Sequence, residues 1–295
     1  RRDFKYTSSF TTTDYLNVPE VYNFNNSANP VKAYNFGSEM AVNSLYALAD
    51  IGGKGYNLNL GVRRDQLSTL PEGSNSYTYP SASLSFIPTD FVDRNNTLNF
   101  LKLRASYAQV KGGLTNPTVG PAGYPIGYGA AYSTPYDGPS FTNSSVYSTP
   151  LVYQGKPSAY FTNTITNASL QPFQRTNIEA GLEAKMFKNR FGIEATYFVY
   201  NDGPGIYQRT VSEATGYTNQ LVNGIETQRK GWEVSLNGDI VKPKTKNGFS
   251  WESMVNLSRY REFLTGVYEG VDQIAANYFV SDNSSNRFIK VGDRI

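Results

Sequence analysis

The chain has 295 residues, a formal net charge of +3, 23 Tyr and 17 Phe, and neither Cys nor His. Disulfide frameworks, thiolate nucleophiles, Ser-His-Asp triads, zinc–histidine sites and haem held by His or Cys are therefore excluded within the chain, no cofactor is expected, and so small and evenly spread a charge speaks against a nucleic-acid partner. Hydrophobic residues make up only 39%, no apolar run reaches the ~18 residues of a membrane-spanning helix, and the surplus of Tyr, Gly, Asn, Ser and Thr suits strands with one wet face.

The chain opens on Arg1-Arg2-Asp3 rather than on an initiator Met and shows no signal peptide, so it reads as an internal segment of something longer. Residues 2–13, rich in Thr, Phe and Tyr, make a first strand. Residues 17–38 hold Pro and many Asn without periodicity and read as loop. A strand over 42–51 ends at Gly52-Gly53, and after it Tyr56, Leu58, Leu60 and Val62 alternate with Asn57, Asn59, Gly61 and Arg63. A polar loop over 64–77 leads to Pro80, Ala82, Leu84 and Phe86 alternating with serines, and 88–97 turns the chain. In 98–110, Leu101, Leu103, Ala105 and Tyr107 oppose Lys102, Arg104 and Ser106. A strand buried on both faces would not alternate charges with leucines so regularly. The stretch 111–175 is irregular and dense in Gly, Pro, Tyr, Ser and Thr, and a segment of that length is usually functional.

The clearest unit spans 176–200. Ile178, Ala180, Leu182, Ala184 and Met186 alternate with Asn177, Glu179, Gly181, Glu183 and Lys185; a polar turn follows, and Ile193, Ala195, Tyr197 and Val199 resume an apolar face opposite Glu194 and Thr196. Period two on both arms makes an antiparallel hairpin, each arm about as long as the ~9–11 residues a tilted strand needs to cross a bilayer. A loop over 201–229 leads to Trp232, Val234 and Leu236 against Glu233, Ser235 and Asn237. A basic turn containing Lys242, Lys244 and Lys246 then leads to Trp251, Ser253, Val255 and Leu257 against Glu252, Met254 and Asn256, and the pattern fades after Tyr260.

Connections alternate in length along this series. In an up-and-down sheet, alternate connections lie at one end, so the long loops (about 15–41, 64–78, 111–175, 201–229 and 261–295) share one side. Short turns on one side and long loops on the other mark an outer-membrane β-barrel. The expected fold is all-β, a transmembrane antiparallel up-and-down β-barrel, with residues 1–295 as part of the barrel domain. About nine strands come out, an odd number where bacterial barrels use even ones, and an unpaired edge cannot sit in hydrocarbon. More chain is expected to complete the wall.

At these residues the sequence resembles SusC-like TonB-dependent transporters of Bacteroidota. The segment from Leu101 to Tyr107 is close to a barrel-strand motif of that family, and Tyr79 to Phe86, preceded by Ser68-Thr69-Leu70-Pro71, is similar to another. Leu170-Gln171-Pro172, Glu179, Gly181, Asn189, Arg190, Gly192 and Tyr197 follow the order of a third block. Ala214-Thr215-Gly216-Tyr217, Asn223, Glu226 and the run from Lys230 to Leu236 follow a fourth, and Lys290-Val291-Gly292 opens a fifth. Departures at Arg64, Gln66, Leu67, Gly224, Ile225 and Arg229 leave the substrate subgroup open. The resemblance implies a barrel of about 22 strands around a plug that these residues do not supply. It also implies a SusD-like surface lipoprotein, energy from TonB-ExbB-ExbD through the plug, and oligosaccharide or peptide as the imported solute. A passive porin or surface adhesin barrel is the rival reading. An outer-membrane hydrolase is weakened by the missing His.

Tyr124, Tyr128, Tyr132 and Tyr136 recur at every fourth position, but Pro125, Gly127, Gly129 and Pro135 argue against a helix there. These rings either face the solute, stacking on sugar or peptide groups, or pack the loop against itself and the lipoprotein. Phe187, Phe191, Tyr197, Tyr200, Trp232 and Trp251 flank strand ends and are expected to meet outer-membrane lipid as an interfacial girdle. Lys242, Lys244 and Lys246 read as a solvated turn, and the pairs Glu179/Glu183 and Glu233/Glu252 as wall residues rather than a hydrolase pair. Asp282 to Asn286 lacks the Gly and Glu of a calcium loop, and the sequons at Asn95, Asn143, Asn167 and Asn256 look accidental.

Overall fold

A computed structural model describes all residues except 93–96, 120–131, 141, 146, 155, 244–247 and 276–286. Nine strands form one antiparallel sheet: β1 (Arg2–Leu16), β2 (Ser27–Gly53), β3 (Tyr56–Leu67), β4 (Ser76–Phe86), β5 (Leu98–Gly112), β6 (Phe173–Met186), β7 (Phe191–Asp202), β8 (Glu226–Val241) and β9 (Trp251–Gly266). Each pairs with the next in chain order, the meander that the alternating sequence anticipates. Among the described residues the helices are short 3-10 turns, and none is long and apolar enough to cross a membrane.

Register decides what each face carries. Ile178 lies opposite Val199, Leu182 opposite Ala195 and Val234 opposite Leu257, so one face is apolar from β5 to β9. Glu179, Glu183, Glu194, Arg104 and Glu233 lie on the other. The apolar face is uncovered: Leu60, Ile178, Leu182, Tyr197 and Leu257 are all exposed. A leucine face with no second layer over it, backed by charged residues, has lipid as its natural cover. The apolar face is accordingly the outer one and the charged face lines the lumen.

The β1–β2 pair departs from the expected loop over 15–41. β2 begins at Ser27; its residues 27–42 pair with β1, while its residues 42–53 pair with β3. The β1–β2 hairpin therefore runs on past the end of β3. Pro30 falls where the register shifts between Thr12 and Asp14, a bulge being one of the few places where a strand tolerates proline. Because the strands run on, the connections 17–26 and 68–75 are about as long as 87–97 and 242–250. The contrast in length is carried by 113–172 and 203–225 against the tight turns at 54–55 and 187–190.

The expected irregular stretch 111–175 contains short hairpins: Thr115–Val119 pairs with Tyr132–Pro139 and Tyr147–Tyr153 with Lys156–Phe161. Thr164–Ile165 runs parallel to Asn219–Gly224, which pairs antiparallel with Gly205–Thr210, so the two long loops share a small sheet. Two apolar clusters anchor this material. Met40, Leu67, Leu70, Leu114, Leu170 and Leu221 form one, and Ile225, Leu264, Ile274 and Ile289 the other. Met40 and Leu67 share the lumenal face with Ser44 and Asp65, and Leu264 shares it with Glu262. The loops thus fold inward, over the mouth of the wall.

Candidate functional site

The lumenal face is laced by ion pairs, some between neighbouring strands, one reaching across a strand and one within a strand. Arg104 on β5 donates to Thr196 Oγ1 at 2.6 Å and meets Glu194 Oε1 at 2.7 Å, both on β7. Arg175 on β6 holds Asp202 on β7 by two contacts, Nε to Oδ1 and Nη2 to Oδ2, the second at 2.9 Å. Arg229 on β8 places Nη2 2.8 Å and Nε 3.2 Å from Glu262 Oε2 on β9, with its guanidinium 5.1 Å from the centre of the Tyr260 ring. Arg63 donates to Asp65 Oδ1 at 2.8 Å and to Ser44 Oγ at 3.1 Å, while the Tyr79 hydroxyl donates to Asp65 Oδ2 at 2.6 Å. Asp65 is buried, as a carboxylate can be when every side is hydrogen-bonded. Most of these pairs are half-exposed, so each contributes only about 0–1 kcal/mol; together they give the lumen a polar, neutralised lining.

Above this lining, side-chain amides tie the loops together. Asn143 accepts from the Asn167 N–H at 2.7 Å and donates to the Asn167 carbonyl at 2.9 Å, as a neighbouring strand would. Asn167 in turn donates to the Leu221 carbonyl at 3.1 Å. Asn223 accepts from the Gln171 N–H at 2.7 Å and donates to its carbonyl at 2.8 Å, and Ser74 donates to the Leu170 carbonyl at 2.7 Å. Loops 68–75, 113–172 and 203–225 thus meet around Leu170, which is fully buried. Two open clefts border this platform. One, of about 400 Å³, is lined by Glu39, Ser68, Thr69, Ser140, Asn143 and Thr166, and the buried Thr69 hydroxyl has no hydrogen-bond partner among the described residues. The other, of about 600 Å³, is lined by Gln174, Arg175, Asp202, Gln208 and Leu221.

Of the aromatic residues expected at the membrane boundary, Tyr197, Trp232 and Trp251 lie on the outer face, the first two directly opposite each other, and Phe191 lies opposite Met186. Phe187 opens the tight turn 187–190 with a left-handed backbone. Tyr200 is placed differently. Its hydroxyl donates to Glu179 Oε1 at 2.8 Å and its ring stacks on Phe198 at 4.7 Å, both on the lumenal face. The parity of the strand requires this, since Tyr200 is four residues from Thr196 and three from Tyr197. Tyr124 and Tyr128 lie outside the described residues; Tyr132 and Tyr136 sit in the strand Tyr132–Pro139. Lys242 pairs with Asp239 at 2.8 Å, Glu183 with Lys185 at 3.5 Å, and Asn95, Lys244, Lys246 and 282–286 lie outside the described residues. The sequence reading missed Asn143 and Asn167 as loop brackets, having met them only as sequons.

A sheet in which Leu182 faces outward uncovered while Glu183 faces inward can stand only in a bilayer, as part of a closed transmembrane β-barrel. The chain belongs to the family described as TonB dependent receptor-like, beta-barrel, whose model matches residues 2–289. TonB-dependent receptor P3 of Formosa agariphila is 24% identical over 219 residues, covering 74% of this chain and 20% of that protein. Receptor P26 of the same organism is 27% identical over 242 residues, covering 81% and 22%. The chain thus spans about a fifth of the length of the curated relatives it matches. Among solved structures, the RagAB peptide transporter superposes with a TM-score of 0.73 over 98% of this chain and 29% of that one, at 16% identity. The RagAB peptide importer in its 'open-open' state gives 0.70 over 98% and 32%, also at 16%. At that identity the likeness is one of fold. The resemblance to TonB-dependent receptor barrels is borne out, the location is the bacterial outer membrane, and the family is one of receptors and transporters rather than enzymes.

Proposed function

We propose that this chain supplies part of the wall and the extracellular loops of a TonB-dependent importer that moves an oligosaccharide or a peptide inward across the outer membrane. The observation that carries the reading is the inward fold of loops 113–172 and 203–225 onto Met40, Leu67 and Leu264, which narrows the mouth of a polar lumen without filling it. An importer must hold its solute above a closed lumen, and loops gathered over the mouth suit that task. The clefts beside Thr69 and Arg175 offer hydroxyl, amide and charged groups to such a solute. RagAB, whose fold the chain shares, is a peptide transporter, which supports peptide as one solute class. On this reading a SusD-like surface lipoprotein sits on the loops, a plug fills the lumen and takes energy from TonB-ExbB-ExbD, and outer-membrane lipid surrounds Tyr197, Trp232 and Trp251. Tyr124, Tyr128, Tyr132 and Tyr136 are loop-borne rings that meet the solute or the lipoprotein, and their joint change to Ala should lower uptake or complex formation.

Extraction of the intact protein from outer membranes in mild detergent, followed by mass spectrometry, tests the proposal. A stoichiometric lipoprotein together with plug peptides supports the importer, and uptake of labelled oligosaccharides and peptides then separates the solute classes. A lone barrel that conducts ions continuously after reconstitution would leave the porin reading instead.

A further inference from the structure

We propose that Lys230, Arg259, Arg261 and Arg294 form an outward-facing site for the phosphate groups of a glycolipid in the outer leaflet. The arginines of the lumenal face already have carboxylates: Arg63 with Asp65, Arg104 with Glu194, Arg175 with Asp202 and Arg229 with Glu262. The outer face differs. Lys230 lies opposite Arg261 and Trp232 opposite Arg259, so these cations continue the column that begins lower down with Leu236, Val234, Val255 and Leu257. The Lys230 ammonium lies 5.0 Å from the centre of the Phe263 ring, which confirms that it shares the face of Arg261. Phe263 is bridged in antiparallel fashion to Arg294, which places a fourth cation at the same edge. The nearest outward positions are Tyr197, Val199, Asn201, Gln228, Trp232 and Phe263, with no carboxylate among them; the first outward carboxylate on β8 is Glu226, beyond Gln228 and opposite Gly266, four residues from Lys230.

Height places the cluster at the membrane boundary. From Trp251 to Arg259 the strand rises roughly 27 Å along its own axis, at ~3.4 Å per residue. At a tilt of about 40° that is roughly 21 Å of height, close to the upper limit of an apolar band ~25 Å tall. Trp232 and Tyr197 mark the same level, and Lys230, Arg261 and Arg294 lie beyond it on the side of the long loops. Grouped cations half out of water repel one another unless an anion joins them, and the surface they face is lipid. Arginine forks match phosphate oxygens two at a time, and basic residues beside a membrane draw anionic headgroups. A phosphorylated glycolipid is the occupant that brings phosphate to this height while its acyl chains cover Val234 and Leu257.

The test is native mass spectrometry on the whole transporter, held in micelles doped with bisphosphorylated lipid A or with the same lipid stripped of phosphate. The unaltered protein should retain the phosphorylated lipid at least about tenfold better than the stripped one. That comparison needs no variant. The quadruple change Lys230→Gln, Arg259→Gln, Arg261→Gln and Arg294→Gln should abolish the preference, while Arg259→Lys, Arg261→Lys and Arg294→Lys together should keep most of it. Heat-modifiable migration in gels shows that each barrel is folded. Equal retention of the two lipids by the unaltered protein overturns the proposal, as does an undiminished preference in the folded quadruple variant. Displacement of the lipid by inorganic phosphate would make this a soluble-anion site and overturn it as well.

Discussion

Arg104 lies across Gly181: a Cβ on Gly181 would fall 2.5 Å from Arg104 Nε and 3.1 Å from the Ala195 carbonyl oxygen. Arg104, Gly181 and Thr196 stand on one rung of the sheet, so the bare backbone of β6 lets a β5 guanidinium reach β7. Gly181 serves space rather than backbone conformation. The change Gly181→Ala should push the guanidinium away from both Thr196 and Glu194. Since Arg104 and Glu194 are half-exposed, their coupling is about 0–1 kcal/mol. A double-mutant cycle of Arg104→Ala and Glu194→Gln in urea unfolding should detect that coupling with Gly181 present and lose it in the Gly181→Ala background.

The two faces predict opposite tolerance to the same charge. Leu182→Arg puts a guanidinium into the lipid band and should cost roughly 2–4 kcal/mol, whereas Glu183→Arg, one residue on, points into the polar lumen. Unfolding of the full protein from vesicles should rank Leu182→Arg well below Glu183→Arg. Similar losses for both would mean that the faces are assigned wrongly.

Leu170 is fully buried where loops 68–75, 113–172 and 203–225 meet. Truncation by Leu170→Ala leaves a cavity worth about 2–5 kcal/mol, and the loss falls on the loops rather than on the ladder of the wall. Limited proteolysis should show cuts within 113–172 appearing faster, while heat-modifiable migration of the barrel stays unchanged.

Period two made the wall legible from sequence, because a strand with lipid on one side and water on the other must write its two faces into alternate residues. The mouth was legible only in part. Leu70, Leu114, Leu170 and Leu221 are single leucines in Gly- and Pro-rich surroundings, and they become a core only when three loops meet. The brackets made by Asn143 and Asn223 copy backbone hydrogen bonding with side chains and so leave no period at all. Residues 27–41 hid a strand because their order comes from pairing with β1, and Ala33, Asn35, Gly37 and Glu39 on one of their faces are exposed.

Tyr200 is the residue on which residue type and parity disagreed, and it offers a sharp check of the lumenal lining. An aromatic ring near a strand end suggests the lipid interface, yet Tyr200 shares the face of Thr196 and Glu194 and donates to Glu179 at 2.8 Å. Tyr200→Phe keeps the stack on Phe198 and removes only the hydroxyl, so it should cost about 0.5–1.5 kcal/mol. The loss should largely disappear in a Glu179→Ala background, where the acceptor is gone. Tyr197→Phe, on the outer face, should be nearly neutral in both backgrounds. If Tyr200→Phe were as silent as Tyr197→Phe in urea unfolding, the bond to Glu179 would contribute nothing and the ring would serve by packing alone.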